Sequence, residues 1–340
     1  MRWLNNFLRV SNWWHYKAAP LMAFIYAKAY INKAQPETLI VPAIVFFLAV
    51  IGIASLGHFI NDWADIEEDR RSGKQNYVAG LSHKQRIISG ILLTLFCLAP
   101  WLYLKTDVQI IALLCLQLLL YIVYSVRPFR LKNRHISGIV ADTLYGHVIP
   151  ALVVLAVFSY YGSFMQLFSF NNLFAFILIT WLFCKGMRNI ILHQLDDRKK
   201  DRMAGINTFV TRFGNVFSLN FINRLILPLE LFVFMLLVYF ACDTFRNFYI
   251  PFFAFLFYTF MKFSLWKIFV LPPRQMRFKF LFFLNDFYED WLPVVILGYL
   301  IQYDIYFVFY LVAHLALFPK TILNLWKDLS RVYSRKAVKN

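Results

Sequence analysis

Residues 39–70 read LIVPAIVFFLAVIGIASLGHFINDWADIEEDR. The first two thirds are almost wholly apolar. The last third, from Asn61, is crowded with carboxylates. A helix needs about 20 apolar residues to cross the hydrocarbon core of a bilayer, and 39–60 supplies them. The stretch therefore predicts a membrane-crossing helix whose end carries acidic side chains.

Working outward, the same alternation recurs. Of 340 residues, 60% are hydrophobic and 16% charged, with 38 Phe and a mean hydropathy of +0.58. A soluble domain is nearer half apolar and about a quarter charged. Apolar blocks fall at 18–34, 39–60, 87–104, 108–124, 137–158, 168–184, 217–240, 249–270 and 288–312. These predict an all-α, multi-pass transmembrane bundle of about nine helices forming one membrane domain over 18–312. Residues 1–17 are expected to form an interfacial segment, with Trp3, Arg9, Trp13 and Trp14 at headgroup level. No apolar run with a small-residue cleavage site marks a signal peptide there. Residues 313–340 form a basic tail.

Lys plus Arg number 35 and Asp plus Glu 18, a net charge of +17. The basic residues sit between apolar blocks rather than in a nucleic-acid-binding module, so they read as topology signals. The longer polar segments, 61–86, 125–136, 185–216 and 271–287, alternate with short connections at 105–107, 159–166 and 241–248. They carry residues such as Arg70, Lys74, Arg127, Arg188, Arg274, Arg277 and Lys279, which places them on the cytoplasmic side. Nine crossings from a cytoplasmic N-terminus would leave the basic tail outside. Two crossings within 280–323, or a final helix lying along the surface, would resolve the conflict. Cys97, Cys115, Cys184 and Cys242 are far apart, form no CxxC pair, and read as small apolar residues. The composition suits a bacterial inner-membrane protein and calls for no obligate protein partner.

In GHFINDWADIEEDR (57–70), Asp62, Asp65 and Asp69 are spaced three and four apart and share one helical face. Asn61 lies at its edge, while Glu67 and Glu68 are expected to face solvent. In HQLDDRKKDRMAGINT (193–208), His193, Asp197 and Asp201 form a second stripe. Like charges at these spacings repel. A hard cation between them relieves the repulsion, and oxygen donors without Cys suit Mg²⁺ beside a phosphate. The basic stretch YSVRPFRLKNR (124–134) offers Arg127, Arg130 and Lys132 to phosphate oxygens. Lys185 and Arg188, one turn apart, precede the second stripe. Neither HExxH nor GxxxxGK[ST] occurs.

With these residues in view, the chain resembles the UbiA superfamily of intramembrane prenyltransferases over roughly 12–310. The first family motif, NDxxDxxxD, is complete as Asn61, Asp62, Asp65 and Asp69. The second is matched by Asp197, Asp201, Gly205 and Thr208, with His193 where many members carry Asn or Asp. The motif YSxxPxRLK is matched by Tyr124, Ser125, Pro128, Arg130, Leu131 and Lys132.

The resemblance implies helices around a central cavity and transfer of an isoprenoid from a polyprenyl diphosphate to an aromatic or other lipid-pathway acceptor. It implies Mg²⁺ held by Asn61, Asp62, Asp65, Asp69, Asp197 and Asp201, with Asp65, Asp69, Asp197 and Asp201 carrying catalysis. Asn61, Arg127, Arg130, Lys132, Lys185, Arg188 and His193 are then the substrate-binding set. Asp286, Glu289 and Asp290 form a third acidic cluster outside these motifs. A membrane phosphotransferase and a cation transporter are the competing readings. The first lacks the expected DGxxAR segment, and the second calls for acids deep within the spans.

Overall fold

The computed structural model describes residue 5 and residues 7–159, 173–262 and 283–337. Trp3, the start of the 168–184 block, the end of 249–270 and the basic residues Arg274, Arg277 and Lys279 lie outside these. Every regular element described is helical. In chain order the main helices are α1 (Ala19–Ile31), α2 (Pro36–Ala64), α3 (Ile66–Ser72), α4 (His83–Leu98) and α5 (Val108–Ser125). There follow α6 (Ile136–Val157), α7 (Leu173–Ala204), α8 (Phe209–Thr244), α9 (Tyr249–Phe260), α10 (Leu292–Tyr303), α11 (Val308–Leu317) and α12 (Lys320–Ala337).

Helices are the expected answer to an apolar solvent, because each satisfies its own backbone polar groups. Among the described residues, α2, α4 with its extension to Leu102, α5, α6, α7 and α8 are long and apolar enough to cross a membrane. A seventh crossing is counted if the bent pair Ile305–Leu317 and Lys320–Ser330 is one span. The chain is an integral membrane protein by this pattern. Large apolar side chains such as Leu92, Leu95, Phe232 and Phe257 are exposed along the helices, as lipid-facing positions require.

The chain divides into two compact units, Met1–Trp13 with Ile40–Leu237, and Trp14–Leu39 with Val238–Asn340. In the first unit, glycines let neighbours close on the helices that carry the acidic stripes. A Cβ on Gly57 of α2 would lie 2.6 Å from the Tyr121 ring of α5. One on Gly186 of α7 would lie 2.7 Å from Thr143 of α6. Such small-residue contacts draw membrane helices together. Trp13 is buried in this unit and donates to the Leu8 carbonyl at 3.0 Å.

In the second unit, α1 runs parallel to α10 and antiparallel to α11. Tyr30 packs on Tyr299, and the Tyr303 hydroxyl reaches the Lys33 carbonyl. On the return, Tyr310 reaches the Pro36 carbonyl and Trp14 donates to the Leu317 carbonyl at 2.8 Å. The apolar block 288–312 is thus two helices rather than one. The break is Asp304, whose extended backbone (φ −146°) ends α10 and whose side chain accepts from Tyr306 N–H. Residue 317 returns to the end of α1 where Trp14 lies. Asp290 of the third acidic cluster meets His15 at 2.9 Å and Thr321 at 2.7 Å, so it belongs to this unit's internal network.

Candidate active site

Both acidic stripes lie in the first unit, one across the end of α2 and the start of α3, the other in the last turns of α7. The carbonyl end of a helix carries partial negative charge, so Asp62 and Asp201 are disfavoured there unless cations approach, whereas Asp65 and Asp69 open α3, where negative charge is favoured. Asp62 ends α2, and Asp65 is a break (φ −100°, ψ 4°) before α3, which carries Asp69. Asp197 and Asp201 occupy the last turns of α7. The two stripes close in the same way. α3 ends at Gly73 (φ 68°), with Lys74 N–H donating to the Asp69 carbonyl. α7 ends at Gly205 (φ 72°), with Ile206 N–H donating to the Asp201 carbonyl. Glycine tolerates this left-handed conformation without a Cβ penalty. Thr208 then caps α8 by accepting from Thr211 N–H.

Every aspartate of the two stripes is turned to a hydrogen-bonding or cationic neighbour. Arg9 grips Asp62 through two nitrogens, at 2.7 and 2.9 Å. Arg130 lies 3.0 Å from Asp65, and Lys132 Nζ donates to the same carboxylate. Asn76 donates to Asp69 at 2.8 Å and to the Asp62 carbonyl at 2.7 Å. Lys74 reaches across to Asp197 at 3.1 Å and Asp201 at 3.8 Å. Ser125 donates to Asn61. The segment 74–76 therefore joins the two stripes, and the basic 127–132 segment closes over the first. Arg130 adopts a left-handed backbone (φ 39°), an uncommon conformation for a residue other than glycine.

Glu68, expected in solvent, is buried. Arg130 meets it at 3.0 Å and Arg127 at 3.4 Å. The break at Asp65 turns α3 off the line of α2, so a continuous helical wheel misplaces this residue. Burial opposes its charge, but the Arg130 hydrogen bond and charge prevail and hold its pKa below the usual value. Burial raises the pKa of Asp69, while Asn76 opposes the shift. Burial also lowers the pKa of Lys132, against the pull of Asp65.

Other expected site residues are placed differently. Arg188 and Glu230 of α8 are fully buried and form a two-point pair at 2.6 and 2.8 Å. Lys185 is likewise fully buried. The His193 side chain is 71% exposed and stands 3.7 Å from Asp197. Arg9, Lys74, Asn76 and Glu68 are site residues that sequence reasoning did not single out.

Among the described residues, no three Asp, Glu, His or Cys side chains converge at metal-binding distance. The donors nonetheless have the chemistry of a hard-cation site, being carboxylate and amide oxygens from two helix ends. Beside them, Tyr121 and Tyr124 pack around Tyr145, with ring centroids 4.5 and 5.3 Å away.

No curated protein matches the sequence. The fold is similar to that of a UbiA homologue from Archaeoglobus fulgidus bound to GPP and Mg²⁺. Its TM-score is 0.53 at 14% identity, covering 83% of this chain and 97% of that one. It is also similar to a structure described for digeranylgeranylglyceryl phosphate synthase in membranes, with a TM-score of 0.52 at 15% identity, covering 89% and 97%. The family model for UbiA prenyltransferases matches residues 20–287, and the chain belongs to that family.

Proposed function

We propose that this protein transfers an isoprenoid chain from a polyprenyl diphosphate to an aromatic or other lipid-pathway acceptor, releasing pyrophosphate. The observation that carries this reading is the first unit's interlocked cluster. Asp62, Asp65, Glu68, Asp69, Asp197 and Asp201 face Arg9, Lys74, Arg127, Arg130 and Lys132. A site built for a cation alone has no use for so many bases. A site built for an anion alone has no use for so many acids. A metal–diphosphate pair needs both.

Asn61, Asp62, Asp65, Asp69, Asp197 and Asp201 would hold Mg²⁺, which when bound supplies positive charge to the leaving diphosphate. The basic residues supply hydrogen bonds to the same diphosphate oxygens. Lys132, Arg130 and Arg9 reach it by turning from the carboxylates they hold in the free protein. Breaking the allylic C–O bond leaves the electron pair on pyrophosphate and a cation on the isoprenoid. Tyr121, Tyr124 and Tyr145 present aromatic faces that stabilise such a cation, and close packing of α2, α5 and α6 excludes water from it. We further propose a bacterial inner membrane, which the basic, Phe-rich composition suits, with these polar segments facing the cytoplasm, as the distribution of Lys and Arg between the apolar blocks suggests.

The test is an assay of prenyl diphosphate consumption in membranes. It should require Mg²⁺ and release pyrophosphate. Asp65→Asn and Asp197→Asn should abolish it while the protein stays in the membrane. Full activity in both variants would end this reading, and metal flux without prenyl transfer would favour a transporter.

A further inference from the structure

The C-terminal helix α12 is not used by the reaction, yet among the described helices it has the most sharply two-sided sequence. Ile322, Leu325, Trp326 and Leu329 follow the i, i+3, i+4, i+7 spacing of one helical stripe. All four are exposed, Trp326 by 67%. On the opposite side the register places Lys320, Asn324 and Lys327. A third edge, Thr321 and Asp328, ties the helix to its own unit. Thr321 donates to Asp290 at 2.7 Å, and Asp328 accepts from Tyr258 at 2.7 Å and lies 2.9 Å from Lys262.

The path into α12 adds a second observation. α11 ends at Phe318, whose backbone (φ −122°, ψ 61°) leaves the helix just before Pro319, as a residue preceding proline tends to do. The chain then bends by 71° between Ile305–Leu317 and Lys320–Ser330. A helix continuing across the bilayer would hold its direction, whereas a bend this large turns the next helix towards the membrane plane. The corner is held by aromatic groups suited to the interface. Trp14 donates to the Leu317 carbonyl, and Lys320 lies 3.2 Å from the Tyr16 hydroxyl and 4.4 Å from its ring centre.

We propose that α12 lies in the surface of an anionic membrane. Its Ile322–Leu325–Trp326–Leu329 stripe enters the acyl boundary, and Lys320 and Lys327 on the opposite side meet the phospholipid headgroups. The occupant is lipid rather than a soluble protein because the stripe continues from a membrane helix. An apolar stripe with Trp, opposed by lysines, also matches an interfacial helix. Juxtamembrane basic clusters are drawn to anionic leaflets.

The full-length protein, with Cys97, Cys115, Cys184 and Cys242 replaced, is to carry a single nitroxide at Leu325, Trp326, Leu329, Asn324 or Lys327. Each form is placed in nanodiscs of phosphatidylcholine, with or without phosphatidylglycerol. Labels at 325, 326 and 329 should be relaxed by oxygen and shielded from a water-soluble nickel chelate, with the reverse at 324 and 327. Phosphatidylglycerol should shift the three apolar-stripe labels deeper. Changing Lys320 and Lys327 together to Gln should shrink that shift. Nickel access at 325, 326 and 329 in both lipids would mean a solvated helix, and shielding from both reagents a protein-covered one. Either result overturns the proposal, as would a depth that ignores anionic lipid. Three independent stripe positions keep the test decisive if one labelled variant fails to fold.

Discussion

Lys74 Nζ lies 3.1 Å from Asp197 Oδ2, linking a residue just past the first acidic stripe to the middle of the second. It follows Gly73, whose left-handed backbone (φ 68°) ends α3 and turns the chain towards α7. In the proposed reaction this ammonium serves two partners. It neutralises Asp197 and Asp201 in the free protein and faces diphosphate oxygens in the complex. A hydrogen bond to a charged group contributes about 1.5–3 kcal/mol. Lys74→Gln should therefore lower kcat/KM for the prenyl diphosphate by about tenfold to a hundredfold. Steady-state kinetics at saturating Mg²⁺ checks this, and an unchanged kcat/KM would remove Lys74 from the site.

The contrast between Lys74 and Asp62 shows what the sequence could and could not reveal. The acidic stripes were legible because their members are three or four residues apart on helices bordered by apolar runs. Gly205 and Thr208 were legible as motif residues, and the structure supplies their reasons, a helix stop and a helix cap. The partners were not legible. Arg9 meets Asp62 across 53 residues, Lys74 meets Asp197 across 123, and Arg188 meets Glu230 across 42. No local spacing encodes such pairs. Glu68 was misplaced for a different reason, since the backbone break at Asp65 changes the direction of the helix on which its exposure was judged. The split at Asp304 was hidden inside a continuously apolar block, where one capping side chain decides between one helix and two.

The Arg188–Glu230 pair separates a packing role from a substrate-binding one. Both groups are fully buried and hold each other through two hydrogen bonds. Removing one partner from a buried pair leaves an uncompensated charge and costs about 3–5 kcal/mol. Arg188→Met and Glu230→Leu should each lower thermal stability strongly, and the double variant should recover most of the loss. If Arg188 also contacted the diphosphate, the double variant would regain stability without activity. Thermal unfolding in detergent, paired with the prenyl-transfer assay, distinguishes the two outcomes.

Gly205 tests whether the second stripe depends on its helix stop. A Cβ there meets nothing within 4 Å, so the penalty of Gly205→Ala is conformational alone. A left-handed backbone costs an L-residue about 1–2 kcal/mol. Gly205→Ala should lower the melting temperature by a few degrees, and Gly205→Asn by less, because Asn visits this region more readily. The Ala variant should also weaken activity by loosening the last turn that carries Asp201. Equal melting temperatures for Ala and Asn would argue against the helix-stop explanation.

Of the carboxylates that would hold Mg²⁺, Asp62, Asp65, Asp197 and Asp201 are already paired with Arg9, Arg130, Lys132 and Lys74. Mg²⁺ arriving alone must displace these bases, leaving Arg130 and Lys132 buried without their carboxylate partner. A diphosphate arriving alone must draw the same bases from the carboxylates, leaving those exposed to one another. Arriving together, each ligand provides what the other removes. The two should therefore bind with positive coupling, which linkage requires to be equal in both directions. A coupling of about 1–3 kcal/mol corresponds to roughly 5–150-fold. Isothermal titration of a non-reactive prenyl diphosphate analogue with and without Mg²⁺ measures the factor directly. The reciprocal titration of Mg²⁺ with and without analogue should return the same factor. Arg9→Gln, by freeing Asp62 in advance, should strengthen binding of Mg²⁺ alone and shrink the coupling. Independent binding of the two ligands would show that the bases do not exchange partners when substrate enters.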